Sequence, residues 1–270
     1  VLFRERISTE RKRGYDHILN QVHVLLERGV VTLHERPAMI GIGTPGSSDP
    51  KTGLLRNSNT TCLNGKPFKA DLESRLELPV IIANDANCFA LAEASIGNQA
   101  ARNASLVFGV IIGTGVGGGI VMNKSIINGT MGIAGEWGHN FLDESGGQCY
   151  CGRIGCVETV ISGPALERYY GKLSSQKLSM LQISNEVSSN ALKTMERLYH
   201  FFAKGIAQVI NILDPEVIVV GGGLSNLPGI WEHAIGMTNE YIFHDHPSTT
   251  FLKPALGDSA GVFGAALLSK

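Results

Sequence analysis

Three cysteines and a histidine crowd into one short stretch of this chain: His139 precedes Cys149 by ten residues, and Cys149, Cys151 and Cys156 fall within eight. Together they offer the donors of a closed Cys3His tetrahedral zinc site. The alternative is three buried thiols beside a core histidine. An imidazole that ligates through one nitrogen leaves the other for a second group, such as a substrate hydroxyl. Glu136 stands three residues before His139 and Glu158 two after Cys156, so a metal pinning both loops would bring two carboxylates together. Carboxylates so placed accept hydrogen bonds from sugar hydroxyls. Either one alone reads as a solvated surface charge.

Residues Gly113-Thr114-Gly115-Val116-Gly117-Gly118-Gly119 contain G-x-G-x-x-G. A dinucleotide fingerprint needs a helix directly afterwards and an acidic residue about 20 positions on. Here Ile120 to Asn123 reads as a second strand, and Glu136 lies in a glycine-rich loop. A strand-turn-strand loop offering Thr114 and unhindered backbone N–H groups suits ATP phosphates, with a ligand-free tight hairpin as the alternative. Gly221-Gly222-Gly223, after a buried strand and before a helix, is a second candidate nucleotide contact. Asp85 follows a short apolar strand and begins a helix. A carboxylate there can take the proton of a hydroxyl attacking a γ-phosphate, or cap the helix, and the two roles are compatible.

The elements that must position these groups alternate. Tyr15 to Val30 carries Ile18, Val22, Leu25, Leu26 and Val30 at helical spacing. A strand over Ala38 to Ile42 runs into the Gly43-Thr44-Pro45-Gly46 turn, and Leu78 to Ala83 forms another, ending at Asn84-Asp85. A helix over residues 86–96 follows. After a polar break at Asn98 to Ser105, Leu106 to Ile112 opens a glycine-rich strand system. Met195 to Leu213 reads as a long helix, Val217 to Val220 as a strand, and Pro228 as the start of another helix. Alternating strands and helices make this an α/β protein.

The 270 residues, 43% hydrophobic and 17% charged, leave room for two modest domains. A net charge of -1 provides no basic face, so nucleic acid is not an expected partner. The longest apolar runs fall far short of the roughly 18 residues of a membrane span. The charged opening VLFRERIST is no secretory signal, which points to the cytoplasm. Five cysteines, an odd number, do not form a disulfide framework.

Ala83 to Ala94 (ANDANCFALAEA), Ile111 to Val121 (IIGTGVGGGIV), Gly135 to His139 (GEWGH), Cys149 to Glu158 (CYCGRIGCVE), Leu213 to Asn226 (LDPEVIVVGGGLSN) and Gly257 to Leu268 (GDSAGVFGAALL) resemble the ROK family of sugar kinases and repressors. The resemblance runs in order from about Ile40 to Leu268. It implies an actin-like ATPase (ribonuclease H-like) α/β fold of two domains with a central cleft, where sugar and ATP meet. It places residues 1–104 plus 258–270 in a smaller N-terminal domain and 105–257 in a larger one with the zinc knot. Asp85 becomes the catalytic base, with Gly46, Asn59, Asn84, Glu136, His139 and Glu158 on the sugar. Thr114 and Gly115 face the phosphates, and Gly222 and Gly223 lie near adenosine. ATP, Mg2+ and a structural Zn2+ held by His139, Cys149, Cys151 and Cys156 are the implied cofactors, a hexose and a second copy of the chain the partners.

The family's D-x-G-G-T opening strand is not found, and the chain begins at Val1 rather than Met. The expectation is therefore of a domain lacking its first hairpin. Within the family, AGEWGHN, CYCG and ETVISG look most like fructokinases and mannokinases, with glucokinases and N-acetylglucosamine kinases close by. The Trp137 indole is expected to narrow the space near the sugar's 2-position. A sugar-sensing repressor of the same family is the alternative class; no helix-turn-helix accompanies it here.

Overall fold

The computed structural model describes residues 1–269. Helix α1 (Tyr15–Leu33) leads to strand β1 (Ile40–Thr44), the short antiparallel pair β2 (Ser47–Ser48) and β3 (Leu55–Arg56), and α2 (Phe68–Leu76). Phe68, Leu72 and Leu76 recur every four residues, so they share one face. That face closes on Ile18 and Leu19 of α1, with Leu55 and Val80, into a small core. Strand β4 (Val80–Asn84) pairs parallel with β1, in register from Ile40↔Val80 to Thr44↔Asn84. Because parallel strands end at the same edge, Pro45-Gly46 leaves the sheet beside Asn84, at the carboxyl ends where α/β sheets bind ligands.

Helix α3 (Asp85–Ile96) follows without a linker, and α4 (Gln99–Asn103) enters a second sheet. Here β5 (Leu106–Ile112) and β6 (Val116–Met122) form an antiparallel hairpin, with β7 (Ser125–Ile126) on its edge. Then come α5 (Val157–Ile161), α6 (Gly163–Ser174), α7 (Met180–Ser184) and α8 (Ser189–Leu213). Strand β8 (Val217–Gly221) runs parallel to β5, α9 (Ile235–Thr238) follows, β9 (Thr250–Leu252) pairs with β8, and α10 (Ala260–Leu267) ends the described chain. The strand order is β7-β6-β5-β8-β9.

Both faces of this sheet are covered, as its near-continuous apolar strands require. Leu198, Phe202, Ile206 and Ile210 of α8, four apart, pack on Phe108, Val110, Ile112, Ile218 and Val220. The opposite face takes α3, and two paired glycines let it approach. A Cβ at Gly109 would lie 2.6 Å from the Ala90 Cβ, and one at Gly119 would lie 2.6 Å from the Ala86 carbonyl oxygen. The glycine run is therefore not one phosphate loop. Only Gly113-Thr114-Gly115 turns, whereas β6 starts at Val116 and its glycines serve packing.

Glu93 of α3, fully buried, accepts the backbone N–H groups of Ala255 and Leu256, each at 3.0 Å. It ties the segment before α10 to α3, and α10 packs on α3 and β1.

Several expected boundaries change, the first strand running over Ile40–Thr44 rather than Ala38 to Ile42. Helix α8 starts at Ser189, not Met195, because Ser188 Oγ caps it by accepting the Ala191 N–H at 3.1 Å. The helix expected from Pro228 starts two residues later: Gly229, at φ 78°, turns the chain into wide π-helical turns over Ile230–Ala234 that run on into α9. Gly221-Gly222-Gly223 is followed by a short 3-10 turn, Gly223–Asn226. Among the described residues, no helix is long and apolar enough to cross a membrane.

Candidate active site

Asn84 ends β4 and caps α3. Its Oδ1 accepts the N–H groups of Ala86 at 2.8 Å and Asn87 at 3.4 Å, while its Nδ2 donates to the Gly46 carbonyl at 3.1 Å. The reading of Asp85 as the N-cap is corrected: the preceding residue does that work. Asp85 Oδ1 also accepts the Ala86 N–H at 2.8 Å. Asp85 is exposed, yet the surrounding protein disfavours its charge. Burial pushes its pKa above the ordinary aspartate range, against the pull of the Ala86 and Asp85 backbone N–H groups. A raised pKa suits a base, whose efficiency peaks near the working pH.

Glu136 and His139 bound a single 3-10 turn, Trp137–His139. Burial, then repulsion from Asp85 and Glu158, pushes the Glu136 carboxyl upward, so the three carboxylates share one region. Trp137 departs from expectation. It is 4% exposed, stands edge-on to Phe108 at 6.2 Å between ring centroids, and donates its Nε1–H to the Gly117 carbonyl at 3.0 Å. The indole is thus anchored in the core beneath β6, while Trp137 also lines the groove beside Glu136 and His139. The signal lay in its spacing: a residue next to Glu136 on a tight turn faces away from it.

The cysteine segment folds as a knuckle in which Gln148 bridges Ile154 and Phe141 bridges Cys156. The ligating atoms of His139, Cys149, Cys151 and Cys156 all lie within 4.8 Å of one another. Cys151 and Cys156 Sγ are 3.5 Å apart, and His139 Nδ1 is 3.6 Å from Cys149 Sγ. Tetrahedral zinc with Zn–S near 2.3 Å needs donor separations of roughly 3.8 Å, so this set fits the metal. Burial lowers the His139 pKa, leaving the neutral imidazole that ligation requires. The free Nε2 is 3.0 Å from the Tyr150 hydroxyl.

Glu158 lies on α5 and its Oε2 accepts the Val116 N–H at 3.1 Å. The Gly113–Gly115 turn is further held by the Gly163 N–H, at the start of α6, which donates to the Gly113 carbonyl at 2.8 Å. Pairing of Ile111 with Gly221 sets Gly222-Gly223 beside this turn, so that a Cβ on Gly113 would lie 3.7 Å from Gly223 N. Thr114, Tyr150, Glu158, Ser162 and Arg168 line a pocket of about 380 Å³. A groove of about 470 Å³ is lined by Asn57, Glu136, His139 and Tyr150, and continues to Val209 and Ile212 of α8.

Asn84, Asp85, Glu136, His139 and Glu158 therefore come together, with Gly46 bound to Asn84. Asn59, like Asn84 and Asp85, lines neither of these two cavities, whereas Asn57, at φ 58° on the same loop as Asn59, lines the groove. Tyr150 and Arg168 were not anticipated. For Tyr150 a signal existed, since a residue between two clustered thiols must stand at the rim of their site. Arg168 had none, because α6 was not foreseen despite Pro164 in its first turn.

The sequence profile of the ROK family matches residues 1–270. The chain is similar to an N-acetyl-D-glucosamine kinase of Histophilus somni (strain 129Pt), at 34% identity over 98% of this chain and 90% of that one. Its structure is similar to the ROK hexokinase from Thermus thermophilus, with a TM-score of 0.85 and 29% identity over 97% of this chain and 88% of the other. A ROK family glucokinase from Streptomyces griseus, in complex with glucose and AMPPNP, gives a TM-score of 0.78 at 26% identity over 94% of this chain and 88% of the other.

Proposed function

Because the chain belongs to the ROK family and has its actin-like ATPase fold, we propose that this sugar kinase transfers the γ-phosphate of ATP to the 6-hydroxyl of a hexose, with Asp85 as general base. The observation that carries the proposal is Asp85 itself: freed from capping by Asn84, poised at a strand end, and raised in pKa. Asn84, Glu136, His139 and Glu158 are sugar-site residues in this reading. Thr114 and Gly115 take the phosphates, and Gly222 and Gly223 the adenosine side. Mg2+ bound with ATP would supply charge compensation on the phosphoryl oxygens. Structural zinc on His139, Cys149, Cys151 and Cys156 holds Glu136 and Glu158 in place.

The reading divides the chain into residues 1–104 plus 258–270 and residues 105–257, with the cleft between. It includes a cytoplasmic location and a homodimer, supported by the exposed apolar side chains Phe141, Ile154 and Ile212.

For the acceptor we favour fructose or mannose, on the likeness of the AGEWGHN, CYCG and ETVISG segments to that branch. N-acetylglucosamine is the second reading, supported by the relatives that share 31 to 35% identity and are named N-acetyl-D-glucosamine kinases. An ADP-release assay with fructose, mannose, glucose and N-acetylglucosamine decides between them through kcat/KM. Sugar binding without ADP release would instead make the protein a sensor.

A further inference from the structure

Helix α6 starts at the turn between β5 and β6, where the Gly163 N–H donates to the Gly113 carbonyl at 2.8 Å. Leu166 and Tyr170, four residues apart and almost wholly buried, turn one face of the helix into the core. Arg168 lies midway between them and is exposed. It stands one helical turn beyond Pro164, on the same face, and both line the pocket that holds Thr114. The packing of α6 and its attachment to the turn thus carry one guanidinium to the wall of that pocket.

The charge there is unbalanced. Among the described residues that line this pocket, Arg168 is the one Lys or Arg and Glu158 the one carboxylate. Glu158 already accepts the Val116 N–H, and Arg168 forms no ion pair among the described residues. Asp85 and Glu136 add two further acids, close enough that Asp85 and Glu158 both disfavour charge on Glu136. Such a site repels a polyphosphate unless a cation answers it. Thr114 and the backbone N–H groups of its turn are neutral donors. A guanidinium presents a planar fork of N–H donors that matches two phosphoryl oxygens, and it stays charged at any working pH. Arg153 is not an equivalent: it lines the groove with Glu136 and His139, not the pocket with Thr114.

We propose that Arg168 binds the phosphate chain of the nucleotide, donating from the α6 side of the pocket to the β- and γ-phosphoryl oxygens of ATP. This rests on the sugar-kinase reading and adds to it a residue that distinguishes nucleotides by their number of phosphates.

Arg168→Ala and Arg168→Lys in the full chain test it, with MgATP, MgADP and AMP as probes. Calorimetric Kd for each nucleotide, steady-state kinetics, sugar Kd, zinc content and Tm are measured. In Arg168→Ala, Kd and KM for MgATP rise about 10-fold to 100-fold, the scale of lost charge-assisted hydrogen bonds. Kd for MgADP rises less, Kd for AMP changes less than about twofold, and sugar Kd, zinc content and Tm stay as in wild type. Arg168→Lys recovers part of the MgATP affinity, because the charge returns without the fork. Wild-type MgATP affinity in Arg168→Ala overturns the proposal. An equal loss for all three nucleotides overturns it too, since the contact would then be with adenosine. Loss of sugar affinity with MgATP binding intact would instead make Arg168 a positioning residue for Glu158. If wild type binds no nucleotide, the kinase reading fails and this inference with it, so the wild-type arm separates the two failures.

Discussion

Glu158 Oε2 accepts the backbone N–H of Val116 at 3.1 Å, so one carboxylate joins the helix that follows the cysteine knuckle to the turn between β5 and β6. The contact passes over Gly115, where a Cβ would lie 2.6 Å from the same oxygen. A side chain at residue 115 would therefore push the Glu158 carboxylate aside. The hydrogen bond also couples α5 to the β5–β6 turn: whatever moves Glu158 moves that turn.

Gly115→Ala is expected to displace Glu158 and lower kcat/KM for the sugar at least about 10-fold, the scale of one displaced charge-assisted hydrogen bond. Gly236→Ala, where a Cβ meets nothing within 4 Å, is the control and leaves kinetics unchanged. Steady-state assays varying sugar and ATP in turn check both.

Asp85→Asn is expected to lower kcat by roughly 10²-fold to 10⁴-fold, the scale of a general base, while sugar Kd changes only a few-fold. More than a tenth of wild-type kcat would remove Asp85 from the base role.

The same substitution has a pH signature. Burial raises the folded pKa of Asp85, so its ionised form costs stability at every pH above that value. The cost disappears below the unfolded value of about 3.9. Asp85→Asn should raise Tm at pH 7, with the gain starting to shrink as pH falls through the folded pKa and gone below the unfolded value of about 3.9. In wild type, kcat/KM should decline over the same interval because the base becomes protonated. Parallel melting and rate profiles test the match.

Protein purified without chelator is expected to hold one zinc per chain. Cys156→Ser should lose the metal, melt earlier and bind sugar more weakly, because Glu136 and Glu158 flank the ligands it removes. Elemental analysis and calorimetry read these out, and wild-type sugar affinity in the metal-free variant would detach the knuckle from the site.

Glu93→Ala leaves the Ala255 and Leu256 N–H groups without their acceptor and opens a cavity. The loss should be on the order of 3 kcal/mol, measured by urea unfolding, with α10 released from α3 before the rest of the chain opens.

The sequence by itself determined what depends on neighbours within about ten residues. Asn84-Asp85 had to sit at a strand end and helix start, because an apolar run stops there and a helical pattern begins. The spacing of His139, Cys149, Cys151 and Cys156 had to produce a compact knuckle, and the glycines around Thr114 a tight turn. Only the tertiary structure decided which atoms meet across the fold. Burial of both faces of the sheet set the register that brings Gly221 beside Ile111 and Asn84 beside Thr44. Close approach of α3 claimed Gly119 for packing, and core volume drew Trp137 inward. The Tyr150 hydroxyl found His139 Nε2 because the knuckle turns the other imidazole nitrogen toward the thiols. These outcomes are set by packing and pairing between segments far apart in the chain, and no local spacing carries that information.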